Sequence, residues 1–393
     1  MRREALMGGG AARWRVLALL FTVRTAFAFQ FQAVGALSPL FVDTYGISLT
    51  EIGLLIGLYL APGIAFAMPG GALAAQFGDR AIVLAGLGLM VAGGALTVVG
   101  TSFEIQIAGR LIAGAGGVII NVLMSKIVAD WFAGREIATA MAIFVNSWPV
   151  GIALALALLP LIAQAGGLGA ALGATTGFAG LGLLLMATLH RAPSNAAGAG
   201  PATGWPVGAE LAALFAAGGI WALFNAALGM VFSFGPALLA ERGMTLVAAS
   251  FTTSVVLWFV AIAVPLGGIV ADRWGRRDLV LLVGLIGFAA GMVAVRAGAA
   301  PLAGLVLIGF GAGLPAGPIM SLAAASLRPE TRAAGMGLFY TIFYAVAVAA
   351  PWVAGRLATA AGSAVATFDA GIAMLGVCVA LLWVYRTILS RPH

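Results

Sequence analysis

The chain has 393 residues, 62% of them apolar and only 8% charged, with a mean hydropathy of +1.11. Soluble domains carry about 25% charge, so twenty basic and thirteen acidic side chains cannot clothe a globule of 39.5 kDa. This excludes a cytoplasmic enzyme, a disordered chain and a nucleic-acid binder, despite a pI near 10.5, and leaves an integral membrane protein built of spanning helices.

The first apolar stretch runs from Trp14 to about Leu40. A signal-peptide core has roughly 7–15 apolar residues, so this longer stretch reads as a retained spanning helix. Charges and Pro/Gly breaks then mark spans at 50–75, 81–101, 104–129, 137–161, 168–190, 208–239, 246–271, 279–296, 301–326, 333–356 and 366–388. That makes twelve, with no charge to mark the split at 161–168. The segment 191–207, rich in Pro, Gly, Ala and Ser, reads as a linker between residues 1–190 and 208–393. The lone Cys378 sits in an apolar run and reads as packing.

Basic residues set the orientation of spanning helices. With a cytoplasmic N-terminus, fifteen Lys and Arg fall inside and three outside (Arg242, Arg296, Arg356). Arg24 and Arg110 fall within spans, which completes the twenty. Both termini are then cytoplasmic, in an inner (cell) membrane, and the net charge of +7 is a topology signal.

The sequence also repeats. At an offset of 197, Pro39 matches Pro236, Gly46 matches Gly243, Gly71 matches Gly268 and Gly78 matches Gly275. At 195, Gly114 matches Gly309, Gly116 matches Gly311, Met141 matches Met336 and Phe144 matches Phe339. Six spans per repeat give both halves the same orientation. The expected fold is an all-α membrane protein of twelve transmembrane helices in two parallel, pseudo-symmetric six-helix bundles. Two such halves are the plan of a secondary transporter with a midplane site between them.

The loop after span 8 carries Gly268, Asp272, Arg273, Gly275, Arg276 and Arg277 in the order Gly-x-x-x-Asp-Arg-x-Gly-Arg-Arg. It resembles the signature loop of the major facilitator superfamily. The equivalent loop after span 2 keeps Gly71, Gly78 and Arg80, with Ala75 in the acidic position. Gly109-Arg110 through Gly114 and Gly116 looks like the family's fourth-span motif. The resemblance implies a transporter in which these loops gate the cytoplasmic side, with Asp272 giving the second half the stronger lock. It also implies a central cavity lined by spans 1, 4, 7 and 10.

Charges at membrane depth are rare and mostly functional. Arg24 lies ten residues past Trp14, about 15 Å deep, and its helix face carries Ala28, Phe31, Gln32 and Gly35. A cavity wall or a snorkelling arm are the two readings, and the small and polar neighbours favour the cavity. Arg110 shares a face with Asn121 and reads either as a second cavity cation or as a helix-packing donor. Asn225, Tyr340 and Tyr344 are further candidate substrate contacts; Asn146, Trp148 and Pro149 of span 5 stand out less.

No carboxylate is expected at mid-depth. Unpaired arginines attract anions through charge-assisted hydrogen bonds. The expected function is therefore a secondary transporter of a small anion or organic anion, with multidrug efflux as the alternative. The segment Arg24 to Pro39 is similar to the cyanate-permease type of anion transporter. No cofactor or metal is expected, since His190 and His393 lie at a span end and at the terminus. The expected partners are a small anionic substrate and the lipid bilayer, with no nucleic acid, and the chain is expected to be a monomer.

Overall fold

The computed structural model describes residues 2–66, 79–132, 137–189, 204–298, 301–328 and 330–390, and every described element is a helix. In lipid, backbone polar groups have no water to bond, so helices satisfy them internally. Among the described residues, eleven helices are long and apolar enough to cross a membrane. One of them, Ile143–Leu189, has 47 residues, about 70 Å at 1.5 Å per residue, more than twice a hydrocarbon core of about 30 Å.

Gly167 divides that helix. Its φ of 77° and ψ of 180° belong to a backbone region open essentially to glycine alone. The break makes two spans, 5 and 6, and twelve in all. Gly167→Ala is expected to cost roughly 1–3 kcal/mol of backbone strain, read as a lower unfolding midpoint in detergent.

The repeat in the sequence is a repeat in packing. Span 1 (Ala12–Ala36) continues past a break at Leu37 as Ser38–Tyr45 and ends at Gly46, φ 66°. Span 7 (Gly208–Glu241) ends at Gly243, φ 86°. Gly114 of span 4 (Phe103–Val128) sits against the backbone of Tyr59 in span 2 (Leu49–Phe66). Its counterpart Gly309 of span 10 (Pro301–Ala323) sits against Val256 and Phe259 in span 8 (Leu246–Ala271). Gly116 likewise meets Gly86 of span 3 (Asp79–Val99), and Gly311 meets Phe288 of span 9 (Arg277–Arg296). Small residues let helices approach where lipid supplies no hydrophobic drive between them.

The halves meet through spans 1 and 7, 2 and 11 (Ala334–Ala361), and 5 and 8. With twelve spans both termini lie on one side, here called the terminal side. On the far side the halves are shut. Gly53 and Gly57 press on the carbonyls of Pro351 and Val348, and Gly355 presses on Leu49. Thr359 Oγ1 accepts from Thr50 N at 3.1 Å and pairs with its hydroxyl at 2.9 Å.

Residues at the far end of span 7 staple its own half. The Glu241 carboxylate accepts from Ala364 N and Ser363 Oγ, both at 2.8 Å, which caps the start of span 12 (Val365–Leu389). Arg242 donates to the last carbonyls of span 9, Val295 O at 2.5 Å and Arg296 O at 2.6 Å. Cys378 is buried against Ile220 O at 3.6 Å.

Candidate functional site

Arg24 is the middle residue of span 1. Its Nε donates to Asn121 Oδ1 of span 4 at 2.8 Å. Its Nη1 donates to the carbonyls of Phe144 and Val145 in span 5, both at 3.0 Å, and to Ser147 Oγ at 3.4 Å. Pro149 explains why a carbonyl is free there. Proline has no N–H, so Val145 O lacks its helical donor and the guanidinium replaces it. The rings of Phe144 and Trp148 lie 4.8 Å and 6.0 Å from the guanidinium carbon.

The other half closes on this group through span 11. Asn121 Nδ2 donates to Tyr344 Oη at 3.4 Å, and the phenols of Tyr340 and Tyr344 lie near the Arg24 guanidinium. Among the described residues no carboxylate pairs with Arg24. Its Nη2 makes no hydrogen bond with a described residue and is not sealed from solvent. One edge of a mid-membrane cation is therefore open. Tyr340 is 38% exposed and Val145 48%. Above it, toward the far side, Trp148, Phe31 and Phe232 form an aromatic layer, with ring centroids 5.3 Å and 6.2 Å apart.

Four of the sequence-derived candidates thus come together: Arg24, Asn121, Tyr340 and Tyr344. The other three do not join them. Arg110, 4% exposed, is sealed among spans 1, 2 and 4. It donates to Leu55 O at 3.1 Å, Gln30 O at 3.0 Å and Phe31 O at 2.9 Å, and stacks over Tyr59 at 4.2 Å. This is the packing-donor arrangement. Beside it, a void of about 10 Å³ lined by Gln30, Gln106 and Thr175 has room for about one water. Asn225 Nδ2 bonds Trp221 O in its own helix at 2.7 Å. Gln32 sits at the far seam, where Nε2 donates to Phe232 O at 2.6 Å.

The same proline logic recurs. Phe232 O loses its helical donor to Pro236 and receives Gln32. Ala261 O loses its donor to Pro265 and receives Asn146 Nδ2 at 3.3 Å. At Pro149, Pro236 and Pro265 a polar side chain thus fills the carbonyl that the proline leaves open. Sequence reasoning noted Pro149 but not its consequence; the carbonyl four residues before each transmembrane proline was the available signal.

Of the gating loops, Gly71 and Gly78 lie outside the described residues, as do Ala75 and residues 191–203 of the linker. The side chain of Asp272 is also outside them. Gly268 has open space around it, and Gly275 ends span 8 in the left-handed region at φ 62°. Arg273, Arg276 and Arg277 are exposed. Arg80 donates to Ala187 O at 2.6 Å. The first half carries an ion cluster that the motif comparison missed: Lys126 bonds Asp79 at 2.7 Å and Asp130 at 3.0 Å.

A transporter built as two six-helix halves around a midplane cation is the class this architecture defines. The profile of the Major Facilitator Superfamily matches the chain twice, over residues 20–238 and 211–392. The chain belongs to the Major Facilitator Superfamily. Among curated proteins it is similar to the human choline/ethanolamine transporter FLVCR2, with 28% identity over 153 residues, 38% of this chain and 29% of that one. The rat protein matches with 26% identity over 166 residues, 41% of this chain and 30% of that one. The alignments thus span under a third of those relatives' length.

Among solved structures, the fold is similar to an inward-facing, occupied bacterial homolog of the human lysosomal transporter Spinster. The TM-score is 0.76 and identity 15%, over 96% of both chains. It is also similar to a D-xylose-proton symporter, with TM-score 0.74 and 15% identity over 94% of this chain and 96% of the other.

Proposed function

We propose that the protein is a secondary transporter that carries a small organic anion by alternating access, the two halves rocking about the cavity at Arg24. The observation that carries this reading is the open Nη2 edge of a mid-membrane arginine with no carboxylate beside it among the described residues. A buried cation without an acidic partner favours a ligand that brings the negative charge. Asn121, Ser147 and the two carbonyls hold the guanidinium without neutralising it. The aromatic layer of Trp148, Phe31 and Phe232 suits an apolar body attached to the anionic group.

The same reading takes the terminal side as cytoplasmic, as the fifteen-to-three distribution of basic residues supports. The closed far side and the exposed Tyr340 then correspond to an inward-facing form. The exposed loop after span 8 is the proposed gate on that side, with Asp272 as its acidic member.

A second reading has one specific support, the similarity to choline/ethanolamine transporters. Aromatic faces such as Trp148 and Tyr344 attract quaternary ammonium groups, but Arg24 repels them. Uptake into proteoliposomes, with carboxylates, cyanate, choline and ethanolamine as separate substrates, decides between the two. Saturable uptake of an anion unaffected by choline is expected. Uptake of choline or ethanolamine alone would overturn the anion reading.

A further inference from the structure

The far seam between spans 1 and 7 is built from two repeat-related prolines. Pro39 and Pro236 each remove the N–H that would bond the carbonyl four residues earlier, those of Gly35 and Phe232. Phe232 O finds a donor across the seam in Gln32 Nε2, at 2.6 Å. The contact needs a glycine opposite. A methyl group on Gly35 would lie 2.7 Å from Gln32 Nε2 and 3.0 Å from Ser233 Cα. The amide orientation follows from chemistry, since Oε1 turned toward Phe232 O would set two acceptors together.

Three polar side chains are buried at the seam. Gln32 is 1% exposed, Ser38 0% and Ser233 1%. Gln32 Oε1, Ser38 Oγ and Ser233 Oγ are buried with no hydrogen-bond partner among the described residues. A buried polar group without a partner forfeits the hydration it has when exposed. These three groups regain water when the seam opens, whereas the Gln32 bond is lost.

We infer that Gln32 is the latch of the far gate, and that Ser38 and Ser233 act against it as a built-in bias toward opening. The Gln32 bond to an orphaned carbonyl, next to that of Ser250 Oγ to Ala36 O at 3.1 Å, holds the seam, and buried oxygens on both helices oppose it, which keeps the closed and open forms close in population. Gln32 acts on the conformational balance without touching the substrate. The inference rests on the alternating-access reading, but not on the identity of the substrate.

The test measures the seam directly in the full-length protein. Cysteines at Thr44 and Ala248, both exposed at the far end, carry spin labels; the one native cysteine, Cys378, is fully buried. Distances are recorded in lipid nanodiscs. The parent is expected to show two distance populations. Gln32→Met, which keeps the size and removes the donor, is expected to lower the closed-to-open ratio about tenfold, the size of one lost hydrogen bond. Ser38→Ala with Ser233→Ala is expected to raise that ratio by a similar factor. A single distance in the parent under all conditions would overturn alternating access and the latch together. Two populations that both variants leave unchanged, or move in one direction, would overturn the latch and leave alternating access standing.

Discussion

Arg24→Ala is expected to lower anion uptake at least a hundredfold while the protein still folds. The loss has two parts. The proposed charge partner of the substrate disappears, and Val145 O, orphaned by Pro149, loses the donor that stands in for the missing N–H. An unpaired buried carbonyl costs about 1–3 kcal/mol, so a drop in stability alone would imitate a transport defect. Arg24→Gln separates the parts, since its amide keeps a donor for span 5 without the charge. Uptake by Arg24→Gln as low as that of Arg24→Ala, with thermal stability near the parent's, is the expected result. Arg24→Lys restores the charge without the planar fork and is expected to recover part of the uptake. The measurement is initial-rate uptake normalised to folded protein from size-exclusion chromatography. Parent-like uptake by Arg24→Gln would remove Arg24 from the substrate site.

Arg110→Ala is expected to act on folding instead. Its guanidinium joins span 4 to carbonyls of spans 1 and 2 at 2.9–3.1 Å. Hydrogen bonds from a charged donor contribute about 1.5–3 kcal/mol each, and three are lost at once. A loss of several kcal/mol is large beside the marginal stability of most proteins. Poor recovery of folded protein is expected, and whatever folds should bind substrate with parent-like affinity. A binding assay on the folded fraction checks this: weakened affinity in stable protein would place Arg110 in the cavity after all. The two arginines, alike as sequence features, are thus expected to fail in different ways.

Much of the fold was legible in the order of residues. Spans follow from length and apolarity because a membrane helix satisfies its own backbone. The repeated glycines were readable too, since Gly114 and Gly309 occupy matching contacts. The split at Gly167 was harder. No charge marks it, and the signal is a backbone conformation that only glycine adopts. The site was legible in part. Arg24 stood out because a charge at mid-depth needs a reason. Asn121 was assigned to the face of Arg110, yet its side chain meets Arg24. Periodicity places side chains on one helix, whereas the partner depends on which neighbouring helix presents a free acceptor.

The amino-acid sequence by itself determined the spanning helices, their pseudo-symmetric halves and the two arginines stranded in the membrane, because those depend on hydropathy and spacing along one chain. Only the tertiary structure decided what each arginine touches. Arg110 met three carbonyls in a sealed corner of one half, and Arg24 met a proline-freed carbonyl at the boundary between halves with an edge left open. That difference rests on helix packing, which brings together residues 55 to 121 positions apart, and no local pattern records it.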